Sequence, residues 1–225
     1  MTEVNEVCCA GPGYASPSDA INAPREKIVY TICIYTGTDV KKPDYLATID
    51  VDEDSPNYNK VIHRTELGSG GDELHHMGWN ACSSCNTDGS MQRKYLVIPG
   101  VITSNFYIVD TATNPSAPVL YKTISGDEIK KKTNLSTPHT VHCLGADIIV
   151  SMLGDANGDA PGGYLHLNKD FEVIGRWEKN IDGMNFSYDF WYQPRQNMMV
   201  STEWAAPNTF MPGFNLKDVE NGSYG

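Results

Sequence analysis

A short apolar run followed by a turn-linked pair of β-rich runs recurs along this chain, and no other pattern in it is as demanding. Runs at 27–34, 94–101, 147–154 and 197–204 each set a polar residue before a brief apolar stretch that heads toward glycine, proline or acid. That is the look of a buried strand, read here as the inner strand of a sheet. Behind the first three come paired runs at 45–50 and 60–64, at 106–110 and 119–124, and at 164–167 and 171–177. Acidic residues, Asn and Pro fill the turns between them, as hairpins require. A unit of one strand and one hairpin every 50–65 residues or so is the signature of propeller blades. Parallel α/β is the rival, but the helix candidates at 126–132 and 216–220 are too short to cover a parallel sheet. The reading is therefore all-β, a β-propeller.

The fourth unit stops early. Its strand is present around Met199, a loop follows at 208–221, and the hairpin is due from Tyr224. Residues 27–225 are thus expected to form about four blades of an incomplete β-propeller whose C-terminal blades are missing. Residues 1–26, punctuated by Gly11, Pro12, Gly13, Pro17 and Pro24, read as an irregular lead-in. An open ring would present raw sheet edges, so these 225 residues are expected to be a fragment of a larger ring with little or no catalysis of their own.

A net charge of −11 argues against nucleic acid or an anionic membrane as a partner, since both select basic patches. No run reaches the ~18 apolar residues of a membrane span, so no transmembrane segment is expected, and peripheral association stays open. The first twenty residues have neither a basic start nor an apolar stretch, so no secretory signal is read there. The expected compartment is the cytosol, with the nucleus accessible. Thiols stay reduced there, so six cysteines suggest metal or redox work before a disulfide framework.

The densest chemistry lies at 72–85, DELHHMGWNACSSC. Asp72, Glu73, His75, His76, Asn80, Cys82 and Cys85 fall within one short window, with only Leu74, Met77 and Trp79 as large apolar residues. Cys82 and Cys85 are spaced to reach one metal or to form a reversible disulfide. No second such pair exists for a structural zinc site, and no βαβ setting exists for a thioredoxin-like motif. His75 and His76 are consecutive, so on a strand they would face opposite ways. Both serve one metal only where the backbone turns, and Gly68, Gly70, Gly71 and Gly78 supply the means. His139 and His142 form a second pair, three apart, which a bent loop would bring to one side. Imidazole suits zinc, copper, iron and nickel, and copper binds most tightly of the divalents. His63 and His166 fit ordinary strand alternation. The run beginning at Asp155 opens like a calcium loop, but Ala160 stands where glycine is needed and His166 where the last carboxylate belongs. The aromatics at 188–194 read as packing between blades.

Taken together, CAGPGY at 9–14, PDYLAT at 43–48, VIHR at 61–64, DELHH at 72–76, GWN at 78–80, CSSC at 82–85, YDFWYQPR at 188–195 and STEWAAP at 201–207 resemble the selenium-binding protein family, now regarded as methanethiol oxidases. The likeness runs from end to end. It implies a seven-bladed propeller about twice this length. It also implies oxidation of methanethiol by oxygen and water to formaldehyde, hydrogen sulfide and hydrogen peroxide at a copper site. The implied copper ligands are His75, His76, His139 and His142. Vertebrate members carry a selenium-associated cysteine where this chain has Asn59, which leaves Cys82 and Cys85 as the selenium-binding candidates. The same two thiols are the catalytic candidates, relaying redox equivalents or loading metal. Two alternatives stand beside the oxidase. One is a selenium or metal carrier without turnover, and the other a propeller scaffold in redox sensing or intra-Golgi protein transport.

Overall fold

A computed structural model describes residues 14, 16–82, 91–193 and 196–225. Four antiparallel sheets follow one another along the chain. The first holds β1 (Ile28–Cys33), β2 (Asp44–Asp50) and β3 (Val61–Leu67). The second holds β4 (Gly78–Trp79), β5 (Tyr95–Pro99), β6 (Phe106–Asp110) and β7 (Val119–Ile124). The third holds β8 (Leu135–Leu144), β9 (Asp147–Asp155), β10 (Gly163–Leu167) and β11 (Val173–Arg176). In the fourth, β12 (Phe190–Gln193) pairs with β13 (Met198–Ser201). These are blades of a β-propeller.

Side-chain alternation explains why the blades stack. On β5 and β6, Val97, Phe106 and Ile108 face the third sheet, joining Ile148, Val150 and Leu165 in one core. The intervening Leu96, Ile98, Tyr107 and Val109 face the first sheet and pack on Leu46 and Leu67. On β9, Ile149 turns the other way, to Phe190 of the fourth sheet. Middle strands are thus buried on both faces and read as continuous apolar runs, while the outer strand β7 is mostly exposed.

The structure corrects the place of the repeated apolar run. The runs at 94–101, 147–154 and 197–204 become β5, β9 and β13, each the second strand of its sheet, with β4, β8 and β12 ahead of them. β4 lies against β8, and β3 against β7. The leading strands escape a sequence reading for separate reasons. β4 has only two residues. β8, the longest strand at ten residues, buries Ser136, Thr137, His139 and Thr140, so it reads as a loop. A short helix, α1 (Pro17–Asn22), also stands in the expected irregular lead-in, its N-terminus capped by Ser16.

The link from β7 to β8 is α2 (Gly126–Thr133), capped by Ser125 and ended at Asn134 with φ 55°. Asp127 and Glu128 fill its first turn and Lys130, Lys131 and Lys132 its last, each matching the helix dipole. Two further short helices, α3 (Pro207–Phe210) and α4 (Leu216–Glu220), follow β13.

Candidate metal centre

The histidine segment at 73–76 is held as an extension of the second sheet. Leu74 bridges to Gly100, the His75 amide donates to the Pro99 carbonyl at 2.9 Å, and the Val101 amide donates to the Glu73 carbonyl at 2.8 Å. Two carboxylates fix it from behind. Buried Asp72 accepts from the amides of Glu73 and Thr103, the Thr103 hydroxyl at 2.6 Å and the Tyr107 hydroxyl at 3.1 Å. Asp44 accepts from the Leu74 amide at 3.1 Å. Only glycine fits at position 100, where a β-carbon would strike the Asp72 carboxylate.

The other half of the site comes from β8. Its register against β9 shifts between Pro138 and Val141, so one extra residue bulges out around His139 and Thr140. Bulges bend a strand and re-aim its side chains. The Thr140 amide, freed from the ladder, donates to the Ser151 hydroxyl at 3.0 Å. The imidazole of His139 Nδ1 sits 2.8 Å from the Thr140 hydroxyl, leaving Nε2 for another partner.

The two halves meet. Ring centroids lie 4.4 Å apart for His75 and His76, 4.8 Å for His75 and His139, and 4.4 Å for His76 and His139. One ligand atom from each ring lies within 4.8 Å of the others. A metal holds imidazole nitrogen at about 2 Å, so movements on the order of an ångström close the three rings on one ion. His139 is buried, His75 half-buried and His76 exposed. Burial first, then the charges of His76 and His75, pushes the His139 imidazole down to about 3. His75 is lowered by burial and then by His76. The His75 and His139 rings are therefore neutral at pH 7, the state that offers a lone pair to a metal.

A cavity of about 460 Å³ opens beside the group, lined by Glu73, His75 and His139 and by Val101, Leu153 and Trp204 among its apolar residues. The Tyr188 ring stands 4.3 Å from His139. Behind it, Trp204 lies 5.2 Å from Tyr188 and stacks on Phe210 at 4.3 Å.

Known proteins share this arrangement of sequence and fold. The family described as 56kDa selenium binding protein (SBP56) matches residues 8–225. The chain belongs to the selenium-binding protein family. It is 54% identical over 221 residues to "Selenium-binding protein 2" of Arabidopsis thaliana, covering 97% of this chain and 45% of the relative. It is 52% identical over 217 residues to "Methanethiol oxidase" of Danio rerio, covering 96% of this chain and 48% of the relative. An X-ray structure of a hypothetical selenium-binding protein from Sulfolobus tokodaii superposes with a TM-score of 0.87 at 41% identity, over 91% of this chain and 46% of that one. The chain thus spans about half the length of these family members.

Within this family member, three of the sequence-derived metal candidates, His75, His76 and His139, come together. His142 stands apart. Past the bulge its ring turns to β12, 4.9 Å from Phe190 and 4.7 Å from Trp191, and its Nε2 is buried without a hydrogen-bond partner among the described residues. Burial lowers its imidazole, against the opposing influence of Asp189, Phe190 and Cys82. Cys82 is half-buried after β4, on the His142 side, and Cys85 lies outside the described residues. Asn59 occupies the turn between β2 and β3 with φ 61°, a left-handed backbone that asparagine tolerates. His63 and His166 are strand residues as expected, His166 pairing with Asp147 at 2.7 Å. In the loop that mimics a calcium site, Asp155 accepts from the amides of Asn157 and Asp159.

Sequence reading misses Tyr188, Trp204 and Phe210 as site residues. The YDFWYQPR motif holds Tyr188, but a run of aromatics by itself signals packing. Nothing local to Trp204 or Phe210 signals the cavity.

Proposed function

We propose that this chain carries the metal site of a copper-dependent methanethiol oxidase. One methanethiol, one dioxygen and one water give one formaldehyde, one hydrogen sulfide and one hydrogen peroxide. The carbon loses two electrons, dioxygen gains them, water supplies the carbonyl oxygen, and the carbon–sulfur bond breaks. The reading rests on one observation above all: three imidazoles from two distant segments converge beside a cavity. Relatives at 52% identity named methanethiol oxidase support the substrate.

An imidazole-only donor set fits copper among first-row metals. Bound there by His75, His76 and His139, copper would act as a Lewis acid for thiolate sulfur and as a one-electron relay to dioxygen. The chain's own groups do the rest. Glu73 Oε1, 3.9 Å from His75 Nδ1 and on the cavity wall, accepts the proton leaving the thiol. Thr140 orients the ring of His139 through Nδ1, as outer-shell partners of metal-bound histidine do. The apolar wall excludes bulk water from the sulfur. Cys82 and Cys85 relay redox equivalents or load the metal.

The test is metal content and product release together. The chain loaded with copper should hold one equivalent. His75→Ala and His139→Ala should each lower copper affinity by at least about ten-fold. In a chain of the relatives' length they should abolish hydrogen sulfide, formaldehyde and peroxide release. Undiminished copper and activity in both variants would overturn the reading.

A carrier function is the second reading, favoured by the relatives named for selenium binding. It requires stoichiometric selenium on Cys82 or Cys85 and no hydrogen sulfide from methanethiol.

A further inference from the structure

The cavity beside the three histidines is far larger than methanethiol requires. A water molecule takes about 30 Å³ of liquid, and methanethiol is one methyl group on a sulfur, whereas the cavity measures about 460 Å³. Pockets for ligands of drug-like size run from about 300 to 1,000 Å³. Its lining combines polar His75, His139 and Glu73 with apolar Val101, Leu153 and Met211. Trp204 stacks on Phe210 with 23° between the ring planes, and both rings belong to the lining. Among the described residues of the lining, Glu73 is the only carboxylate, and none is lysine or arginine. In the metal-free chain a carboxylate on the ligand would therefore meet a like charge and no lysine or arginine to pair with.

We infer that this cavity takes bulky, uncharged organic thiols, with the sulfur at the histidine group and an aromatic or branched alkyl substituent against Trp204 and Phe210. The inference rests on the metal reading above for the seat of the sulfur. It rests on the cavity alone for the class of substituent. Burial of apolar area against the far wall supplies affinity that methanethiol has no surface to gain.

Binding, rather than turnover, tests it. The chain is titrated, metal-free and loaded with redox-silent Zn(II), with phenylmethanethiol, methanethiol, toluene and mercaptosuccinate. The readout is the Trp204 indole resonance, identified through Trp204→Phe. Phenylmethanethiol should bind the zinc form at least about ten-fold more tightly than methanethiol. Toluene should shift Trp204 equally in both forms, and mercaptosuccinate should not shift it in the metal-free form. Ile102→Trp at the exposed rim, and independently Met211→Trp, should weaken phenylmethanethiol by about five-fold or more and leave methanethiol within about two-fold. Equal affinity for phenylmethanethiol and methanethiol, or tight binding of mercaptosuccinate to the metal-free chain, overturns the inference. So does indifference of phenylmethanethiol to both rim substitutions. If zinc does not bind the histidines yet toluene still shifts Trp204, the metal reading fails while the apolar ligand class is supported.

Discussion

Gly78 lies so close to Val141 that a β-carbon on residue 78 would strike the Val141 carbonyl. This contact joins β4 to β8, the strands that flank the two halves of the histidine group. His75 and His76 precede one and His139 sits in the other. This close approach of two backbones, together with the carboxylate bonds of Asp72 and Asp44, holds the two halves in place.

Gly78→Ala should therefore separate the strands. We expect a loss of about 1–3 kcal/mol in urea unfolding, with copper affinity falling at least ten-fold or so. Full copper affinity in a folded Gly78→Ala chain would show that the spacing is set elsewhere.

Asp72 is 4% exposed and holds the histidine segment through four accepted hydrogen bonds. Asp72→Ala leaves those buried donors unmet, at a cost of about 2–3 kcal/mol. Denaturant unfolding measures the stability, and a copper titration should show weaker binding even though residue 72 offers no ligand to the ion.

The blade interfaces predict a sharp contrast between two apolar residues. Ile108 is fully buried between the second and third sheets, while Val119 is 55% exposed on the outer strand. Ile108→Ala should cost about 2–5 kcal/mol, and Val119→Ala less than about 0.5 kcal/mol. Similar losses from both would contradict the burial of β6 between blades.

Acid should weaken the metal-free chain through His139. Its imidazole falls from 6.5 to about 3 on folding, chiefly by burial. The unfolded chain then binds more protons than the folded one between those values, so stability is full above 6.5 and is lost as pH falls through that window. From pH 7 to pH 5 the loss from this residue should be about 1–2 kcal/mol. His139→Gln should flatten that part of the profile; an unchanged slope would remove His139 as its source.

Much of the fold was legible because β2, β6, β7, β9 and β10 carry their own signals: apolar runs with turn residues at their ends. What failed was the blade's leading strand. Two residues, Gly78 and Trp79, are too few to show a period, and the buried polar residues of β8 imitate a loop. The histidines were visible as residue types, and His75, His76 and His139 do meet. The family resemblance grouped His142 with them; in the structure its ring turns to β12, past a bulge at His139 and Thr140 that leaves no mark in composition. Trp204 and Phe210 reach the site only through tertiary packing of α3, which no local pattern encodes.

X-ray absorption on the copper-loaded chain tests the central claim most directly. One copper per chain with three imidazole nitrogens at about 2 Å is the expected result. Loss of that signal should follow when His75, His76 and His139 are all replaced by alanine. Copper bound mainly through sulfur, or taken up fully by the triple variant, would contradict it.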